Sequence, residues 1–408
     1  MKNIIEKLNK ILGLIENHNL TEARISLERI ESNIPDDGPI QKIIGQLFQC
    51  IGADAKSLYY ILRARELLPN DKSLLLNLAY HYLDNGEPKL AINYFKEYLS
   101  TEAPTSRVLC FLGRAYDYDG YKDKAERVLY QAVELMPSDL ESHLHLGRIL
   151  IAKKNYKEAL DCFKKINFFH PDNLMVDLSI KRVNALLSSP SESSGHIKSL
   201  VPATVVCVKH GKKYEEIYVN RLASMVKRWS SVDVDFFCLT DDPSGLVDGI
   251  RTLPLPDKNA QGQNIEGWWH KLAMFREEVK EFGSHILYFD VDVVITGSID
   301  PLLYYDSDFA LAQNCYVPTF SSSVMRFKNG TKPDIWADFS EINAQKYGGD
   351  EIWIASKVPE ADVFPEEWCK IYRLHGVNEI PKGAIVVSFG GEPNPGDYPS
   401  PWIKDYWI

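Results

Sequence analysis

From residue 3 to about residue 173, apolar residues recur at helical spacing, and that pattern itself repeats every 34 positions. Small residues fall at Ala23, Ser57, Ala91, Ala125 and Ala159, and a second series runs through Gly45, Ala79, Gly113 and Gly147. Prolines fall at Pro35, Pro69, Pro137 and Pro171, with Pro104 one residue off the register. Three series in phase predict five units of two antiparallel helices. Small residues stand where paired helices touch, and a proline closes each unit after its second helix. LMVDLSIKRVNALLS (174–188) reads as the capping helix that a stack of such units needs.

The pattern then changes. SSPSESSGHIKS (188–199) has no apolar period and reads as a linker, placed at 188–200. ATVVCV (203–208) is a short β-branched run expected for a buried parallel strand, and YEEIYVNRLASMVKRW (214–229) has helical spacing. VDVDFFCLT (232–240) predicts a second strand, GWWHKLAMFREEVKEF (267–282) a second helix and HILYFDVDVVI (285–295) a third strand. The expected architecture has two domains: an all-α superhelix over 1–187, and an α/β, Rossmann-like domain with a mainly parallel sheet over 201–408. Ligands of such sheets gather at the carboxyl ends of the strands.

The 34-residue period is the tetratricopeptide pattern, clearest in LGRAYDYDGYKDKAERVLYQAVELMP. On its inward face the register places Tyr80, Arg107, Arg114 and Arg148. Arg114 and Arg148 hold equivalent positions in successive repeats, which suits a protein or peptide partner with acidic groups or a free carboxylate. A net charge of −10 with no basic run argues against nucleic acid. No apolar stretch is long enough to cross a bilayer. The seven cysteines are scattered, with no CxxC pair, so a reducing, cytoplasmic setting is expected.

The chemistry concentrates at Asp290-Val291-Asp292. A strand has period two, so both Asp side chains are expected on the same face, with Val291 on the other. Two like charges held that close raise each other's proton affinity, and a divalent cation removes the conflict. Mn²⁺ or Mg²⁺ is the expected cofactor: both favour oxygen ligands, and Mg²⁺ is often held by one or two carboxylates together with the phosphates of its substrate.

TVVCVKHGKKYEEIYVNRLASMVKRW, FFCLTDD, GWWHKLAMF, LYFDVDVVITGSIDPL, SSSVMRF, GGDEIWI and VVSFGGEPNP together resemble bacterial GT-A glycosyltransferases similar to glycosyltransferase family 8. The resemblance implies a metal-dependent enzyme that moves a sugar from a nucleotide-sugar, with a lean toward UDP and a retaining outcome. It implies that Lys209, His210 and Tyr214 hold base and ribose, with Asp241 or Asp242 near the base. Lys271 would approach the ribose or diphosphate. Asp290 and Asp292 would bind the metal, Asp290 also touching the ribose. Ser322, Ser323, Gly390 and Gly391 would border the donor. Asp350 would contact donor sugar hydroxyls, and Asp350 or Glu351 could instead act as general base for an inverting attack. Trp268 and Trp269 read as packing residues in preference to acceptor platforms, because large aromatic side chains usually enter the core.

The chain departs from that family in one respect. The usual C-terminal histidine ligand and a nearby lysine are missing: the stretch reads Ser388-Phe389-Gly390-Gly391-Glu392-Pro393-Asn394-Pro395. Glu392, Asp397, His375 or water are the substitutes within reach of the sequence. The alternative is therefore a repeat scaffold that binds nucleotide-sugar without turning it over. A sugar-1-phosphate nucleotidyltransferase is disfavoured, because KHGKKYEE after the first strand lacks the Gly-rich phosphate loop.

Overall fold

The computed structural model describes residues 2–188, 203–276, 279–391 and 393–408. Beyond Ser188, the expected linker lies outside the described residues. By packing, the chain divides into two compact units, Met1–Met136 and Pro137–Ile408.

The first unit contains α1 (Lys2–Glu16), α2 (Leu20–Ile30), α3 (Gly38–Cys50), α4 (Asp54–Leu67), α5 (Ser73–Asp84), α6 (Pro88–Leu99), α7 (Ser106–Tyr118) and α8 (Lys122–Leu135). The second opens with α9 (Leu140–Ala152), α10 (Tyr156–Phe169) and α11 (Leu174–Ser188). The residues of the small series are where helices meet. Ala23, Ser57, Ala91, Ala125 and Ala159 have no exposed surface. A Cβ on Gly45, Gly113 or Gly147 would lie 2.7, 2.6 or 2.1 Å from Ile61, Leu129 or Phe163, each on the second helix of its own hairpin. A fourth series in the same phase appears in the backbone. His18, Gly52, Gly86, Gly120 and Lys154 all take positive φ, between 57° and 82°, and turn the chain from first helix to second. Two of the five are not glycine, which hides this series from a reading of composition.

The second unit continues with β1 (Thr204–Lys209), α12 (Glu216–Trp229), β2 (Phe236–Thr240), β3 (Arg251–Pro254), β4 (His285–Phe289), β5 (Val293–Ile295), α13 (Asp300–Leu303), β6 (Phe309–Gln313) and β7 (Phe320–Lys328). It ends with α14 (Asp334–Ala337), α15 (Glu341–Tyr347), α16 (Asp350–Lys357), β8 (Asp362–Val363), β9 (Cys369–Ile371), β10 (Val386–Ser388) and α17 (Ile403–Tyr406). Seven strands form a mostly parallel mixed sheet in the order β3-β2-β1-β4-β7-β6-β8, with β7 antiparallel to both neighbours. A small sheet, β5-β10-β9, stands apart. Alternation along β1 and β4 sorts the core into two layers. Val205, Cys207, Leu287 and Phe289 pack with α12, and Val206, Ile286 and Tyr288 pack with Phe275, Phe327 and Trp353.

Two expected elements differ. Residues 267–282 were expected as one α-helix, but Gly267–Phe275 is a 3₁₀ segment that ends where Arg276 turns extended. Trp269 and Lys271 to Phe275 are buried almost without a break, so no solvent face imposes a 3.6-residue period. The strand expected over 285–295 breaks at Phe289. The Asp290 amide makes a last bond to the Ser323 carbonyl (2.9 Å), the chain turns at Val291-Asp292, and β5 joins the small sheet.

Arg182 of α11 fixes the last repeat helix to the α/β layer. Its guanidinium donates to the Pro359 and Ala361 carbonyls (both 3.2 Å) and lies 4.0 Å over the Phe320 ring. Burial pulls this arginine down to about 10, because these contacts offset only part of the loss of water around its charge. Arg182→Ala strips two buried carbonyls of a charged donor. The expected loss is roughly 2–4 kcal/mol, read from denaturant unfolding of the full chain. All eight tryptophans lie from Trp229 to Trp407, so their fluorescence reports this unit.

Candidate functional site

A cleft of about 820 Å³ opens at the carboxyl ends of β1 and β4. Its centre is a buried charge cluster. Lys271 Nζ lies 3.0 Å from Asp290 Oδ1, 2.9 Å from Asp350 Oδ2 and 3.0 Å from Ser322 Oγ. Ser322 Oγ in turn donates to Asp350 Oδ2 (2.8 Å), and the Tyr288 hydroxyl donates to Asp290 Oδ1 (2.5 Å). Burial works to pull the ammonium down, but the two carboxylates outweigh it and hold Lys271 above the ordinary lysine value. An ammonium has three donors, and here all three are engaged. Lys271 therefore orients Asp290 and Asp350 and has no donor left for a phosphate, unlike the role the resemblance implies.

Asp292 sits in the turn, 9% exposed, and accepts from the Tyr214 hydroxyl at 2.8 Å. Burial first, and then the charge of Asp290, push its carboxyl well above the usual range; the Tyr214 bond and Lys213 act the other way. The two aspartates thus converge through a turn and not through the two-residue period of a strand. Tyr214 is itself held in its neutral form, by burial and by the same carboxylate.

The opposite wall is built by α16 and by the loop between β6 and β7. Gly348 takes φ +70° after α15, and Gly349 is extended, so Asp350 and Glu351 open α16 facing the cleft. Glu351 accepts from the Asn314 side chain. Burial and the neighbouring Asp350 raise its carboxyl to about 7, against the opposing effects of Lys271, Asn314 and the Ser322 amide. Ser323, Gly390 and Gly391 complete this part of the lining. Gly391 has φ +108°, a backbone that favours glycine, whereas Gly390 has no positive φ and a Cβ there would meet nothing within 4 Å.

His210 and Tyr214 line the cleft after β1, and His210 stacks on His270 at 4.8 Å. Burial, then His270, lower the His210 pKa. Three residues expected at the donor do not line the cleft. Lys209 is buried as the last residue of β1. Both Asp241 oxygens accept from the Gly211 amide (2.9 and 3.2 Å), fixing the loop after β1. The Ser244 side chain first, and then the Ser244 amide, hydrogen-bond to Asp242 and lower its pKa.

The substitute metal ligands fare no better. His375 lies outside the lining, its Nδ1 turned to the Ile371 backbone, and burial lowers it to about 4. Asp397 accepts from the Asn394 amide at 2.7 Å in a capping box, and Glu392 lies outside the described residues. Among the described residues no third acidic, histidine or cysteine ligand joins Asp290 and Asp292.

Sequence reasoning missed Lys213, Tyr288, Asn314, Tyr316 and Arg373, all in the lining, and misread Trp268. Trp269 packs on Phe339 at 4.7 Å, as expected, but Trp268 is 57% exposed and lines the cleft. Among the repeat positions, Tyr80 meets Phe111 edge-on at 4.7 Å. Arg107 lies 5.9 Å from both of those rings, and Arg114 lies 4.7 Å over Phe111. Arg148 does not sit in an open groove: it is 3% exposed, and its charge acts on His375.

The tetratricopeptide repeat family model matches residues 53–107 and 112–173, and the helical half is a tetratricopeptide repeat array. Among solved structures, the chain is similar to MamA from Desulfovibrio magneticus RS-1, at 21% identity over 41% of this chain and 94% of that one, with TM-score 0.37. It is also similar to PilF of Pseudomonas aeruginosa (16%, 45% and 83%, TM-score 0.38). A third is YrrB, a tetratricopeptide repeat protein with an unusual peptide-binding site (20%, 40% and 84%, TM-score 0.34). No curated protein matches the chain. Among the described residues no helix is long and apolar enough to cross a membrane.

The raised Glu351 carboxyl has a consequence for stability. Between about pH 4.5 and 7 the unfolded chain loses this proton while the folded chain keeps it, so stability falls as pH rises through the window. Glu351→Gln is expected to remove up to roughly 3 kcal/mol of that decline, measured by urea unfolding at pH 5 and pH 7.5.

Proposed function

We propose that this chain is a GT-A glycosyltransferase that moves a sugar from a nucleotide-sugar, with UDP favoured, to a hydroxyl acceptor, using Mn²⁺ or Mg²⁺. The observation that carries the reading is the convergence of Asp290, Asp292, Asp350 and Glu351 on one cleft at the strands' carboxyl ends.

The donor set fits a divalent ion. Asp292 is a buried carboxylate repelled by Asp290, and Asp290 takes both Tyr288 and Lys271 on Oδ1, leaving its other oxygen for a cation. Two carboxylates plus diphosphate oxygens suffice for Mg²⁺ without a histidine. When bound, the ion stabilises charge on the departing diphosphate. The residues supply the rest. Lys213 and Arg373 bring cationic groups to the same cleft and do for the diphosphate what Lys271 no longer can. His210 and Tyr214 border the nucleotide, and Asp350, oriented by Lys271 and Ser322, accepts from sugar hydroxyls. In the reaction the bond from the anomeric carbon to the phosphate oxygen breaks and a bond to the acceptor oxygen forms. The acceptor proton passes to the departing phosphate if configuration is retained, or to a carboxylate such as Glu351 if it is inverted. The repeats bring a protein or peptide acceptor to the cleft and raise its effective concentration there; Arg107, Arg114 and their aromatic neighbours suit an acidic segment.

The two-ligand site and the fully engaged Lys271 favour a second reading, a scaffold that holds the donor without turnover. Thermal shift against a UDP-sugar panel with Mn²⁺ tests the first step: one donor should stabilise the protein, and EDTA should abolish the effect. Asp292→Asn is expected to remove that shift and to lower turnover about 100-fold or more. Donor binding with no transfer or hydrolysis would support the scaffold instead. Gly390→His, at a position with room for the side chain, is expected to tighten Mn²⁺ roughly tenfold, measured by titration with the metal alone.

A further inference from the structure

Trp268 and Trp269 are neighbours with opposite fates. Gly267 takes φ +58° and sets the entry into the 3₁₀ segment. Trp269 then goes into the core, while Trp268 stays 57% exposed. In a 3₁₀ segment residues three apart eclipse, so Trp268 shares its face with Lys271, and both line the cleft. Packing does not account for an indole left in water at the edge of a polar site. A second aromatic, Tyr316, is 41% exposed in the same lining. Its loop is fixed by Asn314, whose side-chain oxygen accepts from the Tyr316 amide (2.8 Å) and the Val317 amide (3.1 Å). The same Asn314 donates to Glu351. One amide side chain therefore ties an exposed ring to the carboxyl that sits beside Asp350.

We infer that Trp268 and Tyr316 form an acceptor subsite for a sugar ring, so that the hydroxyl glycosylated belongs to a glycan or to a sugar already attached to a polypeptide. This rests on the glycosyl-transfer reading. A pyranose has an apolar C–H face and a rim of hydroxyls, and it matches flat exposed aromatics set among carboxylate, amide and guanidinium groups. An unmodified serine or threonine offers no such face. The cleft's volume lies toward the upper end of the ~300–1,000 Å³ usual for small-molecule sites, room for a second ring beside a nucleotide-sugar. Asn314 is then a positioning residue that holds Tyr316 and Glu351 in register.

The test uses the full chain with Mn²⁺ and whichever UDP-sugar stabilises it. Acceptors are the methyl glycosides of glucose, galactose, N-acetylglucosamine and N-acetylgalactosamine, set against sugar-free peptides rich in serine, threonine and tyrosine. At least one glycoside should be glycosylated with saturable kinetics, and Trp268→Ala should raise its KM about tenfold while donor Kd stays within twofold. Trp268→Tyr should recover part of the loss, and Tyr316→Ala should act in the same direction as Trp268→Ala. Transfer to sugar-free peptides but to no glycoside would overturn the subsite and leave glycosyl transfer standing. Equal weakening of donor Kd by Trp268→Ala would also overturn it, assigning the indole to the nucleobase. Failure of the unaltered protein to bind any donor would remove the glycosyl-transfer reading and this one together.

Discussion

The α/β domain is organised around one lysine buried between two aspartates. Lys271, Asp290 and Asp350 come from the 3₁₀ segment, the end of β4 and the start of α16, and Ser322 of β7 closes the cluster. A lone ammonium at 7% exposure would be untenable. Two carboxylates within 3.0 Å make it stable, and it in turn holds the two side chains close to each other. Taking away Lys271 leaves two neighbouring carboxylates with no counter-charge between them, a far larger cost than the net worth of the cluster. The cleft is therefore pre-shaped by its own electrostatics, with the hydrogen-bonding capacity of the lysine used to hold acids in place.

Much of this was legible from residue order. The 34-residue phase gave the helix hairpins because close helix contact and chain reversal each demand particular residues at fixed intervals. Alternation in β1 and β4 gave the buried sheet, and a pair of acids after an apolar strand marked the end at which the cleft opens. What was missed has a common cause: local periodicity sees one element at a time. Lys271 was named only through the resemblance, and its pairing with Asp290 and Asp350 was not readable because those partners are contributed by β4 and α16. Trp268 and Trp269 are indistinguishable by type, and only the backbone of Gly267 and the placement of Phe339 separate the exposed ring from the packed one. Asn314 carries no signal at all, since its partners Tyr316 and Glu351 become neighbours only through the fold.

The last repeat helix belongs to the same mechanical system. Through Arg182, α11 grips Phe320, which begins the strand bearing Ser322 and Ser323. It also grips the carbonyls of Pro359 and Ala361, which follow the helix bearing Asp350 and Glu351. A cap that merely covered the end of a repeat stack would present leucine or alanine there. A buried guanidinium is directional, because it fixes the angle as well as the distance of what it binds. The serine and carboxylate walls of the cleft are thereby referred to a common anchor outside the sheet.

Charge balance then limits what the cleft accepts. Among the described residues, four carboxylates face it, and one ammonium is committed within it. Asp292 and Glu351 both retain protons far above the usual carboxylate range, because burial and their neighbours, Asp290 and Asp350, leave no room for further negative charge. A bare diphosphate entering that field meets repulsion that Lys213 and Arg373 offset only in part. On the proposed reading, an anion accompanied by a divalent cation would meet the reverse, because Asp290 and Asp292 would hold the cation in place of a proton. On that reading, the same field that raises both carboxyls favours a ligand that carries its own positive charge.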